Sequence, residues 1–202
     1  AIFRSISVQD IRALLREILS SPQNLERIAG ISYLQGNGFY KIVLDHGEHG
    51  SLRLHIWLPE NSAEENLHSH RWPLISKVIA GTIVSELWDD TFAGNPLYRE
   101  LLYVGKDAGL VEMGQAAVQL VSVETRVAGD VYSLSADRLH RIIHQKIRTN
   151  ATLMFHPRPT RSFSRNILLA ENIPVVKPDY LSPSQLEPIL HKLDRTLESE
   201  RY

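Results

Sequence analysis

The sequence predicts an all-β core with an α-helical segment at each end, and three observations lead there. Leu52, Leu54, Ile56 and Leu58 alternate with Arg53, His55 and Trp57, the two-residue period of a strand with one buried face. Short apolar runs then recur along the chain, separated by Gly, Asp and Asn, as in an antiparallel sandwich or barrel. Both ends instead place apolar residues at helical spacing.

From the N-terminus, Ser7 caps a helix in which Ile11, Leu14, Leu15, Ile18 and Leu19 share a face. Ser21-Pro22 ends it, because the residue before a proline is pushed out of the helical region. A short second helix over 24–29 precedes Gly30, so 1–30 is an N-terminal helical segment. The strand at 52–58 is followed by strands at 74–80, 82–88, 100–104, 117–123, 131–134, 141–147 and 151–155, and the barrel spans 38–160. Ser182 caps a last helix over 182–200, Pro183 takes its first position, and Leu186, Ile189, Leu190, Leu193 and Leu197 form its stripe. The helices are expected against the outside of the barrel or a partner chain, and residues 1–202 read as a single domain.

Composition narrows the function classes. A chain of 202 residues with 43% hydrophobic and 22% charged residues can bury roughly 70% of its unfolded surface. Net charge is −1 and no polybasic arm is present, so nucleic acid is not an expected partner. No apolar run reaches the length of a membrane span, and no signal-peptide pattern opens the chain, so no membrane association and a cytoplasmic location are expected. The absence of cysteine excludes disulfides, Cys-type zinc sites and thiolate catalysis.

The chemistry concentrates in histidines. His68 and His70, at i and i+2 of a strand, would point to the same side of a sheet. A third imidazole, His140, follows Gly129 in the run 129–140. Three imidazoles from two segments would form a half-shell around a divalent metal with other positions open to water or substrate, as catalytic sites require. The spacing resembles the two motifs of the cupin superfamily. In the first, a His-x-His pair is followed by Glu and then Gly; here His68-Ser69-His70 is followed by Leu74 and Gly81. In the second, Gly129 opens the motif, Ser135 and Asp137 stand at its Pro and Gly positions, His140 is the ligand, and His144 takes the final Asn position. The resemblance implies a cupin double-stranded β-barrel (jelly roll) whose metal shell has lost its glutamate to Leu74.

Cupins with three histidines include the thiol dioxygenases, and residues 38–160 resemble cysteine dioxygenase. The likeness lies in Leu74-Ile75-Ser76-Lys77-Val78-Ile79-Ala80-Gly81, in Phe39-Tyr40-Lys41 with Asp45-His46-Gly47 and Leu52-Arg53-Leu54, and in Leu139-His140-Arg141-Ile142. Lys41 would occupy the place of that family's carboxylate-binding arginine. The family's Ser-His-Tyr relay would fall on 152–156, where Met154 and His156 replace the His and Tyr. With the tyrosine gone and no cysteine to crosslink, the expected substrate is not cysteine.

The resemblance therefore implies Fe(2+) at His68, His70 and His140, although ligand chemistry alone leaves Zn(2+), Ni(2+) and Cu(2+) open. Neutral imidazoles leave the ion's charge uncompensated, which favours a small anionic, chelating substrate. An Fe(II)-dependent oxygenase using O2 is the leading reading. A metal-dependent isomerase, lyase or decarboxylase without O2, or a non-catalytic ligand-binding cupin, are the alternatives. His144 is a candidate catalytic residue or further ligand, or a hydrogen-bonded barrel histidine. His156 is a candidate acid or base, or a surface residue ending its strand before Pro157. Lys41 and Arg53 are candidates to hold a substrate carboxylate, the arginine being better shaped for bidentate contact, or are solvated charges. Trp72 and Tyr132 would line the cavity or pack. The basic run 158–165 reads as a solvated loop over one barrel mouth. A homodimer is the expected alternative to a monomer.

Overall fold

The computed structural model describes residues 2–61, 65–92, 97–105, 109–143, 145–169 and 178–199. Three helices open the chain: α1 (Ile2–Ser5), α2 (Val8–Ser20) and α3 (Pro22–Ala29). Ser7 caps α2 through a reciprocal box with Asp10, as its sequence suggests. Ser21 caps α3, which begins at Pro22 rather than after it, because proline is well accommodated at a first helical position.

Among the described residues twelve strands follow: β1 (Tyr33–Gln35), β2 (Phe39–Gly47), β3 (Gly50–Trp57), β4 (Leu67–His68), β5 (Leu74–Ala80), β6 (Thr82–Asp90), β7 (Leu97–Tyr103), β8 (Leu110–Val127), β9 (Val131–Leu134), β10 (Leu139–Ile143), β11 (Asn150–His156) and β12 (Ser164–Leu168). The chain ends in α4 (Pro183–Ser199). One sheet runs β1-β2-β3-β11-β5-β9; the other strands join as β10-β4-β12-β7-β8-β6, with β6 pairing back to β10. All these pairings are antiparallel. The chain thus forms the all-β, double-sheet core flanked by terminal helices expected from its sequence.

Three strands differ from expectation. β8 extends well beyond 117–123 because it pairs with β7 over 110–117 and then with β6 over 118–127, so that one long strand serves two neighbours in turn. β10 starts at Leu139 and is over by Ile143, with a turn before Asn150, so the expected 141–147 strand is shifted towards the N-terminus. The basic run is not wholly a loop. Its end enters β12, where the Arg165 guanidinium is neutralised by Asp90 and Glu100 and the backbone pairs with both β4 and β7.

The helices cover one face of the β1–β9 sheet. Ile11, Leu15, Ile18, Leu25 and Ile28, with Leu186, Leu190 and Leu193 of α4, pack on Ile42, Leu54, Ile56 and Leu153. Strand β3 consequently has two buried faces: Leu54 and Ile56 meet the helices, while Arg53, His55 and Trp57 turn the other way into the interior between the sheets. Among the described residues no helix is long and apolar enough to cross a membrane.

Candidate metal centre

His68 and His140 are direct cross-strand partners on β4 and β10, which places their Cβ atoms side by side on one surface. His70 lies just past the end of β4. It is fixed there because its N–H donates to the Ala136 carbonyl, while the Ser69 N–H donates to the Arg165 carbonyl and Ser69 Oγ accepts from the Arg165 N–H. The three ring centroids form a nearly equilateral triangle, 4.7, 5.0 and 5.1 Å on a side, and one ring nitrogen of each lies within 4.8 Å of the others. Three imidazoles bound to one ion through nitrogens at roughly 2.1 Å would have centroids about 4.6 Å apart at right angles and about 5.3 Å apart at tetrahedral angles. The observed triangle falls within that interval. His68 Nδ1 donates to the Asn66 carbonyl at 3.0 Å, which leaves Nε2 as the free donor atom, the outer-shell arrangement usual for a ligand histidine. His70 Nε2 and His140 Nε2 are 2.8 Å apart, and His140 Nδ1 is buried without a partner. Burial holds all three imidazoles below their ordinary range and so keeps them neutral, as metal ligation requires. The donor set fits a divalent transition metal.

The triad opens onto a cavity of about 520 Å³ walled by both sheets. Register builds one wall from the β1–β9 sheet: Val43 pairs with Arg53, Arg53 with Met154, Met154 with Ser76, and Ser76 with Tyr132, and all five line the space. All four expected substrate contacts line it: Arg53 and Tyr132 of that row, with Lys41 and Trp72. Neither cation is a solvated surface charge. Arg53 is only 9% exposed; its Nε donates to Ser51 Oγ and its guanidinium lies 5.5 Å from the Trp72 ring. Burial pushes it down to about 10, so it stays charged at neutral pH. Lys41 Nζ donates to the Tyr33 hydroxyl at 2.9 Å. Tyr132 is covered by the Arg126 guanidinium at 4.3 Å.

His156 is not the surface residue that one reading of the sequence offered. It is 3% exposed, absent from the cavity wall, and stacked on Trp72 with centroids 4.0 Å apart. Met154 and His156, two residues apart on β11, share one side of the strand; Met154 lines the cavity, whereas His156, at the strand's end, meets the Trp72 indole. Its Nδ1 donates to the Pro157 carbonyl, and burial, with Arg53 adding to it, pushes the ring down to about 3. His144 lies outside the described residues.

Two wall residues escaped the sequence reading. His55, on the polar side of β3, sits under Phe39 at 4.6 Å with Nε2 unpartnered, and burial, then Lys41 and Arg53, holds it well below its usual range. Glu65 is 6% exposed, its Oε2 accepts the Ile142 N–H at 2.7 Å, and burial pushes its carboxyl up to about 8. An acid with that value is mostly protonated at neutral pH. The alternation at 52–58 does mark His55, but only if the polar face is allowed to look inward; Glu65 carries no sequence signal.

No family model matches the chain, and no curated protein is significantly similar to it. Among solved structures it is distantly similar to hydroquinone 1,2-dioxygenase PnpCD in complex with Cd2+ and 4-hydroxybenzonitrile, with a TM-score of 0.36 and 14% identity over 59% of this chain and 64% of that one. It is also similar to E. coli ycfD, with a TM-score of 0.35 and 10% identity over 76% of this chain and 42% of the other. A third similarity is to vicilin from Corylus avellana (hazelnut), with a TM-score of 0.27 and 13% identity over 73% and 42%. The matches span less than two thirds of each of those chains. Likeness this remote carries no inference about substrate or reaction.

Proposed function

We propose that the chain is a three-His cupin oxygenase in which His68, His70 and His140 hold Fe(II), with a small anionic molecule other than cysteine and O2 as its substrates. The observation that carries this reading is the convergence of three neutral imidazoles on the wall of a cavity that also holds Lys41 and Arg53. Bound there, the ion would supply Lewis-acid and oxygen-activating chemistry.

The chain's own residues do the remaining work. The Asn66 carbonyl orients His68. Arg53 and Lys41 attract and hold the anion, and the indole of Trp57 and the ring of Phe39 keep water from the apolar part of the cavity. Glu65, protonated near neutrality, is a proton donor on the same wall. His156 keeps the Trp72 ring in place by stacking and so acts through it rather than on the substrate.

The test is metal analysis of protein purified without chelator, followed by oxygen-electrode assays of the iron form against thiols, amino acids and β-dicarbonyl acids. Iron near one atom per chain with O2 uptake on a non-cysteine anion is expected. Turnover of the same compounds with no O2 consumed would replace the oxygenase by a non-redox metal enzyme. Efficient oxidation of cysteine to its sulfinic acid would refute the substrate assignment.

A further inference from the structure

Arg53 is a buried cation without a counter-ion. It is nine-tenths buried, its one hydrogen bond given by the structure goes to a neutral hydroxyl, and among the described residues no carboxylate lies within ion-pair distance of it. Burying a charge in this way is costly unless something neutralises it. The Trp72 ring 5.5 Å away offsets part of that cost. A carboxylate, which matches the planar guanidinium fork, would offset far more.

Its position matters as much as its charge. Arg53 belongs to the β1–β9 sheet, whereas His68 and His140 belong to the other sheet, so the two polar poles of the cavity come from different walls. Trp72 stands between them, 5.5 Å from the guanidinium and 6.3 Å from the His70 ring. Apolar side chains make up much of the remaining wall, among them Phe39, Trp57, Leu74, Ile142 and Met154. A cavity of about 520 Å³ lies within the roughly 300–1,000 Å³ typical of sites that enclose ligands larger than a single amino acid.

We infer that the ligand is an elongated, two-ended acid: an apolar body with a chelating group for the His68–His70–His140 pole and, remote from it, a carboxylate held by Arg53. The chelating end rests on the metal reading above; the carboxylate end does not, and the two can be tested apart. The probe pair is dihydrocaffeate, a catechol bearing a propanoate arm, and its uncharged counterpart ethylcatechol. Binding is followed by calorimetry and by tryptophan fluorescence, since Trp57 and Trp72 line the cavity.

In metal-free protein the acid should bind about tenfold tighter than the neutral probe, as expected of one good charge-assisted pair. Arg53→Gln should remove most of that preference, leaving only the attraction of Lys41, and Arg53→Lys, which keeps the charge but not the fork, should reduce it less. Equal binding of the two probes by the unaltered protein would overturn the inference without any variant. So would a preference undiminished in Arg53→Gln, or, should that variant not fold, one undiminished in Arg53→Lys. Adding Fe(II) should tighten both probes by a similar factor. If it tightens neither, the metal reading fails while the carboxylate site stands.

Discussion

Single side chains in the cavity wall have consequences that can be measured directly. Removing one imaginary corner of the triangle by His70→Ala or His140→Ala should lose most bound metal. The fold should persist, because the cluster of Leu15, Ile42, Leu54, Leu190 and Leu193 owes nothing to the ion. Metal content per chain, measured beside a circular-dichroism melt, checks both halves; unchanged metal in either variant would remove the triad as the ligand set. Glu65 permits a prediction of definite sign. Its carboxyl is raised from 4.5 to about 8 on folding, so its contribution to stability is full below about pH 4.5 and is lost as pH rises through 8. Glu65→Gln cannot ionise and still offers an oxygen to the Ile142 N–H. The variant should therefore be more stable than the parent at pH 9, by on the order of a few kcal/mol, and should lose that advantage by pH 5. Urea melts at the two pH values decide it, and an equal difference at both would mean that Glu65 ionises normally.

Among the elements, the turn between β5 and β6 carries the chain from one sheet to the other. Gly81 makes that turn with φ of +70°, where an L side chain is strained, and an added Cβ would collide with Asn150 Oδ1 and lie 2.9 Å from the Thr149 carbonyl oxygen. Asn150 cannot simply withdraw, since its Oδ1 accepts the Thr82 N–H and its Nδ2 donates to the Gln145 and Arg148 carbonyls. Gly81→Ala should therefore cost about 2–4 kcal/mol, combining strained backbone with a broken clip. A melting temperature within a degree of the parent would show that the corner is softer than its contacts suggest. The same scale explains what could be read in the sequence. Helical stripes were legible because one face of each helix is apolar, and the strands at 74–80 and 131–134 because each is a mostly apolar run bounded by Pro, Gly, Asp or Ser. β12 was not, because Arg165 resembles a loop charge until Asp90 and Glu100, from two other strands, neutralise it. The clustering of the three histidines was legible from the His-x-His pair together with the cupin resemblance, which singles out the glycine-led His140. The inward turn of Arg53 and His55 depends on a second sheet lying over β3, and no local pattern records that.

At the scale of the whole molecule, the cavity sets how stability responds to acid. His55, His68, His70, His140 and His156 all have imidazoles depressed by burial, with His156 pushed down to about 3. Unfolding releases each to its ordinary value near 6.5, so below that pH the unfolded chain binds protons that the metal-free native chain refuses. Their stabilising contribution is full above about pH 6.5 and is lost as pH falls through it, at up to about 1.4 kcal/mol per pH unit for each ring. Among the described residues Glu65 alone acts in the other direction over this range, and its loss spreads over the interval from 4.5 to about 8. Five groups against one make the acid side the steeper. Metal-free protein should thus melt highest near pH 6.5, lose stability sharply towards pH 5 and only gradually towards pH 9. Calorimetric melts across that range, with proton uptake on unfolding measured in two buffers, test the shape. His156→Phe, which leaves the triad in place and keeps a ring on Trp72, should shallow the acid limb by about one proton. A profile flat between pH 5 and 6.5 would mean that the buried imidazoles already ionise in the native state, which neutral metal ligands sharing one cavity with Lys41 and Arg53 could not tolerate.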